Sequence, residues 1–251
     1  MLNWKSRLNA SAIHLTISVF VVALAALLVF RLWYPFPYRE LSGGRELFLW
    51  VVLVDVTLGP LITLVIFNHT KTRRHLTMDL AVVGLLQLAA LTYGLWTVFA
   101  ARPVHMVFEY HRMAVVHAVD VLPESLAQAP ANLQTLPLTG PTLLSLRPLR
   151  QSEAVESVMQ AMGGIAQAAQ PNLWQPYGAA RAEVLHESRP AALLKQRFAE
   201  QAETIDHAVA QTGLPIERLR TLPLLARKAV WTVLMDAETA QPVGYIPLDP
   251  F

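Results

Sequence analysis

Few residues in this sequence have the type and spacing to do chemistry, and none of them gathers into a reactive constellation. Asp55 is the only charged residue between Leu47 and Phe67. A carboxyl deep in an apolar span costs about 2.5–3.5 kcal/mol on insertion scales and is a functional candidate by default. Three readings stay open for it. It can hydrogen-bond inside a helix bundle, for instance to Gln87 or Thr57; it can anchor a partner; or it can pass protons or ions. Transport needs a polar path, and the neighbouring apolar runs contain no second charge. Gly59-Pro60 follows one turn later, where a kink is expected because proline removes a helical hydrogen bond. That kink serves packing or opens a place for another helix. Gly84, Ala89, Ala90 and Gly94 are small enough to let a helix approach closely.

The histidines are read more plainly. His14 lies one turn inside an apolar run, as an interfacial or hydrogen-bonded residue. His105, His111 and His117 are six apart, but a turn at His111 would take them off a common face. No carboxylate or second histidine stands beside them at ligand spacing, so no metal site is assigned. There is no nucleophile elbow and no HExxH, and Gly163-Gly164 is not a phosphate loop. Cysteine is absent, which removes thiolate ligands, thiol nucleophiles and disulfides. The expectation is a protein without enzymatic activity, cofactor or metal.

The elements that must position these residues are written in the composition. The chain has 251 residues, is 54% hydrophobic and only 15% charged. Ordinary soluble domains carry about 25% charge, so disorder, a coiled coil and a nucleic-acid binder are set aside. The apolar excess falls in three runs, about 8–30, 47–67 and 80–101, each long enough to cross a bilayer core of about 20 residues. The first is too long for a cleaved signal and lacks a small-residue cleavage site. Residues 1–101 hold eight cations and four acids, residues 102–251 twelve and fourteen. Lys5, Arg7, Lys71, Arg73 and Arg74 outnumber Arg31, Arg39 and Arg45, so the positive-inside rule puts the N-terminus in the cytoplasm and residues 102–251 outside. Trp33, Tyr34, Tyr38 and Trp96 suit an aromatic belt at the outer interface.

The expected architecture is a membrane domain, residues 1–101, built as a three-helix bundle, followed by an extracytoplasmic α+β domain, residues 102–251, with antiparallel strands. Val104–Tyr110 and Ala114–Val121 read as a hairpin about His111-Arg112, and Val230–Met235 and Val243–Ile246 as a second hairpin. Thr142–Leu146 reads as a short strand, and residues 122–141 as loop. Ser152–Ala169 reads as a helix with Ser152 as its cap, and Pro190–Gln211 as the best helix, closed by Gly213.

Several segments together resemble the type IV pilin accessory family (TfpX/TfpZ-like). They are Ala12-Ile13-His14-Leu15, Trp33-Tyr34-Pro35, Glu40 to Gly44, Asp55 to Leu61, Asp79 to Val82, Gln87 to Leu91, Ala101 to Val104, and the ending Trp231 to Asp236 with Pro247 to Phe251. The resemblance is densest over residues 12–110 and 222–251. It implies a non-enzymatic helper in the bacterial inner membrane whose partner is the major pilin, and which supports pilin stability and pilus assembly. It supplies no mechanism. The residues suggest one, in which spans two and three, around Asp55, Gly59, Pro60, Gln87, Gly84 and Gly94, hold the pilin helix while the outer domain meets the pilin head. Two other classes stay open: a sensor input subunit signalling through a separate partner, and a membrane enzyme acting at the outer face.

Overall fold

A computed structural model describes residues 4–67 and 72–251. The chain divides into two compact units. One comprises Met1–Pro35 and Gly43–Ala101, the other Phe36–Ser42 and Arg102–Phe251.

The first unit is helical. Three helices, Trp4–Trp33, Gly44–Ile66 and Arg73–Ala100, are long and apolar enough to cross a membrane, by length and composition. They are spans one, two and three. Side chains such as Phe20, Leu24, Val65, Leu85 and Leu88 are more than half exposed on their outer faces, where only a hydrocarbon solvent would leave them unpenalised. Thr72 caps span three by accepting the His75 N–H, which satisfies one of the orphan donors of a helix start. Where spans one and two approach their shared connection, Tyr34 is fully buried and donates from its hydroxyl to the Val98 carbonyl at 3.1 Å. Gly44 is glycine for a steric reason: a Cβ there would stand 2.3 Å from the Tyr34 ring.

The second unit is a mixed sheet with helices. Its strands are β1 (Pro103–Glu109), β2 (Arg112–His117), β3 (Thr142–Leu146), β4 (Trp174–Pro176), β5 (Arg189–Pro190), β6 (Leu219–Leu225), β7 (Val230–Asp236) and β8 (Pro242–Ile246). Their order across the sheet is β4-β3-β1-β2-β6-β7-β8, with β5 also paired to β6. Both expected hairpins form, β1 with β2 and β7 with β8. The expectation of antiparallel strands alone is corrected, because β1 runs parallel to β3 and β2 parallel to β6. Each parallel pair joins strands far apart in sequence, and no local signal announces such a pairing.

Side chains alternate along the strands and build separate cores. Met106, Phe108, Met113 and Val115 pack with Leu222, Leu224, Val233 and Met235. The intervening Val107, Ala114 and Val116 pack with Leu144, Leu146, Leu173 and Trp174. The first of these cores also takes Tyr38 and Leu41, which are 5% and 0% exposed. The connection between spans one and two is thus part of the second unit. The Lys228 N–H donates to the Leu41 carbonyl at 2.9 Å, and the Tyr38 hydroxyl to Met106 Sδ at 3.4 Å.

Two expected helices are shorter than their patterns. The segment read as Ser152–Ala169 is helical over Ala154–Met162, ending at Gly163-Gly164, where Gly164 has φ +94°. Its start is fixed by the Glu153 carboxylate, which accepts the Arg150 N–H and pairs with Arg147 at 2.8 Å, rather than by Ser152. The segment read as Pro190–Gln211 is two helices, Ala191–Arg197 and Ala202–Thr212, broken at Phe198, with φ −115° and ψ 55°. The apolar spacing continues through the break because Leu194, Phe198 and Ile205 all serve one core. Gly213 closes the second helix with φ +67°.

His105 gives this unit a pH dependence. It is 1% exposed, its ring is edge-on to Trp174 at 4.6 Å, and burial pushes its pKa down to about 4. The unfolded chain takes up the proton near the ordinary value of about 6.5. Between these values the unfolded state binds more protons, so stability falls as pH falls through that window, by up to about 3 kcal/mol. Trp fluorescence of urea unfolding should show this loss in the wild type and not in His105→Gln. Asp236 acts lower on the pH scale. Its hydrogen bonds from Arg218 hold its carboxyl well below the usual carboxylate range, so its contribution is present above the unfolded value of about 4 and goes only in stronger acid.

Candidate functional site

The polar residues of the three spans recur at helical spacing and therefore share faces. Ser11, His14 and Ser18 lie along one stripe of span one. Asp55, Gly59 and Thr63 follow one another every four residues in span two, and Gly84, Gln87 and Leu91 lie on one face of span three. A polar stripe in an apolar helix must find partners on its neighbours, since hydrocarbon offers none. Span two buries Asp55, Gly59, Pro60 and Thr63.

These stripes meet in a hydrogen-bonded seam. His14 Nδ1 lies 2.5 Å from Thr63 Oγ1, and His14 Nε2 faces Gln87 Oε1. Gln87 Nε2 donates to the Asp55 backbone carbonyl at 3.3 Å. That last bond orients the amide, which leaves Oε1 to accept from His14. The histidine then carries a proton on Nε2, and Nδ1 shares its hydrogen bond with the Thr63 hydroxyl. One side chain from each span thus joins a single relay. Beside it, Ser11 Oγ donates to the Pro60 carbonyl at 2.8 Å.

The seam is shaped by the proline. Pro60 has no N–H for the carbonyls four or five residues before it, and the turn ahead of it, Val54–Leu58, widens to a π-helix. Such turns are the usual site of inserted side chains and of function. The Gln87 amide lies where a Cβ on residue 59 would be, 1.8 Å from Nε2. Gly59 is therefore the gap through which span three reaches the backbone of span two.

The six residues singled out in the sequence have different fates. Gly59 and Pro60 are buried, and their surroundings are already taken by Gln87 and Ser11. Gly94 accommodates Val51, whose Cγ2 would stand 2.7 Å from an added Cβ, so it serves packing between spans two and three. Asp55, Gln87 and Gly84 line an opening of about 170 Å³ with His14, Ser18 and Leu88. This opening lies between spans one and three, and span two forms its floor. A Cβ on Gly84 would meet nothing within 4 Å. Asp55 is 5% exposed, and its Oδ1 has no hydrogen-bond partner. Gln87 bonds the Asp55 backbone and leaves the carboxyl free of it. A second, apolar groove of about 330 Å³ runs between spans two and three, lined by Trp50, Val51, Val54, Leu91 and Tyr93, with Asp55 also at its wall.

Sequence reading missed Ser11, Ser18 and Thr63, and gave His14 no role in joining the spans. The signal that could have found them is their spacing of three and four residues, in register with Asp55 and Gln87. The cations that set orientation flank the spans. Lys5 and Arg7 lie at the start of span one, and Arg73 and Arg74 at the start of span three. Lys71 lies outside the described residues.

In the second unit His105 and His117 are buried, each hydrogen-bonded through Nδ1. His105 Nδ1 is 2.7 Å from Thr142 Oγ1. His117 Nδ1 is 3.1 Å from Asp120, which in turn pairs with Arg227 at 2.8 Å. His111 sits in the turn between β1 and β2. Among the described residues, no group of three or more His, Asp or Glu side chains could hold a metal ion.

Comparison with known proteins places the chain among relatives. Residues 2–43 match the family model described as Fimbrial assembly protein FimB. The chain is 34% identical to the fimbrial assembly protein, serogroup I, of Dichelobacter nodosus over 230 residues, covering 90% of this chain and 89% of that protein. It is 33% identical to the serogroup E1 protein of the same organism, with the same coverage. The serogroups C1 and C2 protein is 38% identical over 119 residues, 47% of this chain and 91% of its own length. No solved structure matches the chain.

Proposed function

The chain belongs to the fimbrial assembly protein family, and we propose that it is a helper in the bacterial inner membrane that supports pilus assembly by holding the major pilin before or as it is built into the fibre. The partner is engaged twice. Its membrane helix lies against the spans, and its head meets the outer unit in the periplasm. The helper does this by binding alone, with no reaction of its own.

The observation that carries this reading is the opening at Asp55. A seam of polar side chains locks three spans together and yet leaves an unpartnered carboxyl, a glycine with open space and an apolar wall. Helix association in lipid rests on close packing and polar pairs, since no apolar driving force separates lipid from leucine. Both ingredients are present there. The orientation is supported by two independent features. The connection Phe36–Ser42 folds into the core built by residues 102–251, so both belong on one side of the membrane. The clusters Lys5, Arg7 and Arg73, Arg74 belong on the other, as the positive-inside rule asks of a cytoplasmic face.

Deletion of the gene should lower surface fimbriae severalfold while the pilin transcript stays at its wild-type level. A changed transcript would instead favour a sensory subunit, and unchanged fimbriae would contradict a role in assembly.

A further inference from the structure

We propose that the opening between spans one and three receives a pilin helix that brings an N–H donor to the Asp55 carboxyl. This rests on the reading that the membrane unit holds the pilin, and it adds the chemistry of recognition.

Asp55 is the twelfth of the 23 residues of span two, so about 16 Å of helix separates it from either end. At that depth a carboxyl oxygen without a donor is costly, whether the group is ionised or neutral. Asp55 Oδ1 is such an oxygen. The obvious local donor, the Gln87 amide, is committed to the Asp55 backbone carbonyl instead. His14 is committed at both ring nitrogens. The donor that completes the site therefore comes from outside this chain.

Two sources fail by chemistry. A lipid tail has no donor, and headgroup donors lie too far away along the span. A second copy of this chain carries its exposed N–H side chains, Asn9, Trp50 and Trp96, nearer the ends of its spans than Asp55 lies, and its hydroxyls are poor candidates. The hydroxyls of Thr16, Thr57, Thr92 and Thr97 each donate to the carbonyl four residues earlier in their own helix. The same habit explains why the donor should be an N–H. These four helical hydroxyls are satisfied by their own backbone, an outlet that an amide, ammonium or guanidinium group lacks. The wall of the opening permits the approach. Gly84 has open space above it, and Ile17 and Leu88, both more than half exposed, flank it with apolar surface.

The test is recovery of pilin with the tagged, full-length protein in mild detergent. Asp55→Leu removes the acceptor and replaces it with a larger apolar group, and should lower recovery about tenfold, the worth of one charge-assisted bond. Asp55→Asn keeps an acceptor oxygen and should hold most of the recovery. Gly84→Leu fills the opening and leaves the Asp55 carboxyl in the chain, and should lower recovery at least as far as Asp55→Leu. Should Asp55→Leu fail to accumulate, Asp55→Ala removes the same acceptor without bulk. Unchanged recovery with Asp55→Leu, alongside a loss with Gly84→Leu, overturns the donor while leaving the helix in the opening. Failure of the wild type to recover pilin overturns the underlying reading.

Discussion

Residues 102–251 produced as a fragment should be far less stable than the same residues in the full chain. The reason is the segment between spans one and two. Tyr38 and Leu41 are built into the core against Met106, Phe108, Leu222 and Val233, and the fragment leaves their places empty. Removing a buried leucine side chain alone costs about 2–5 kcal/mol, and a large aromatic about 3–5. The two are neighbours, so the values will not add fully. Even so, the loss rivals the 5–15 kcal/mol that holds a typical domain together. The fragment also frees the Lys228 N–H that Leu41 accepts. Protease digestion should cut the fragment rapidly at concentrations that leave the outer unit of the full protein intact. Leu41→Ala in the full protein should lie between the two. Equal protection of fragment and full chain would mean that residues 36–42 are not part of that core.

Gly59→Val should be the most damaging single change in the membrane unit. Its Cβ would occupy the position of the Gln87 amide, 1.8 Å from Nε2 and 2.6 Å from Cδ. Gln87 is the flexible end of a long side chain, so it will swing away instead of forcing the helices apart. Doing so breaks its bonds to the Asp55 carbonyl and to His14. Interhelical hydrogen bonds in lipid are worth about 0.6–2 kcal/mol each. Two losses, with polar groups left unpaired in hydrocarbon, come to about 2–4 kcal/mol. Gly59→Ala should follow the same route with less crowding. The check is a double-mutant cycle. If Gly59→Ala already evicts the amide, adding Gln87→Ala should cost little more, and thermal stability in detergent should be strongly sub-additive. Additive losses would show that Gly59 and Gln87 act separately.

The parts of this molecule that were legible in the sequence are those governed by local pattern. Long apolar runs define the spans, because nothing but a membrane tolerates them. The two hairpins were readable because their turns, Tyr110-His111 and Asp236 to Thr239, interrupt β-rich runs at short range. Strand β6 was not readable. It carries Pro223, which normally argues against a strand inside a sheet. The residue fits because β5 pairs β6 at Arg220 and Thr221 while β2 pairs it at Leu224 and Leu225. The proline falls in the gap between those pairings, where no N–H is asked for on that side. Phe36–Ser42 likewise gave no sign of its place, since seven residues between two spans look like a connection wherever they pack.

At the site, Asp55 and Gln87 stood out as polar groups in apolar runs, and a hydrogen bond between them was one of the readings left open. Gln87 reaches the backbone of Asp55, because Pro60 weakens the helix there and Gly59 clears the way. The carboxyl is left for something else. Pairing within span two alone would have made Gly59 and Pro60 the face of the site. Gly59 and Gln87 line a groove of about 350 Å³ between spans two and three, and the Asp55 opening lies elsewhere, beside His14 and Ser18.

The central claim is that a pilin helix lies in the opening between spans one and three. The protein has no cysteine of its own, so single cysteines can be placed and crosslinked in living cells to a pilin carrying one cysteine in its membrane helix. Ile17 and Leu88 line the opening, while Val19 and Leu85 are exposed on other faces of the same spans. Crosslinks to pilin should form from positions 17 and 88 and be absent from 19 and 85. Equal yields from all four positions, or crosslinks only from 19 and 85, would contradict the claim.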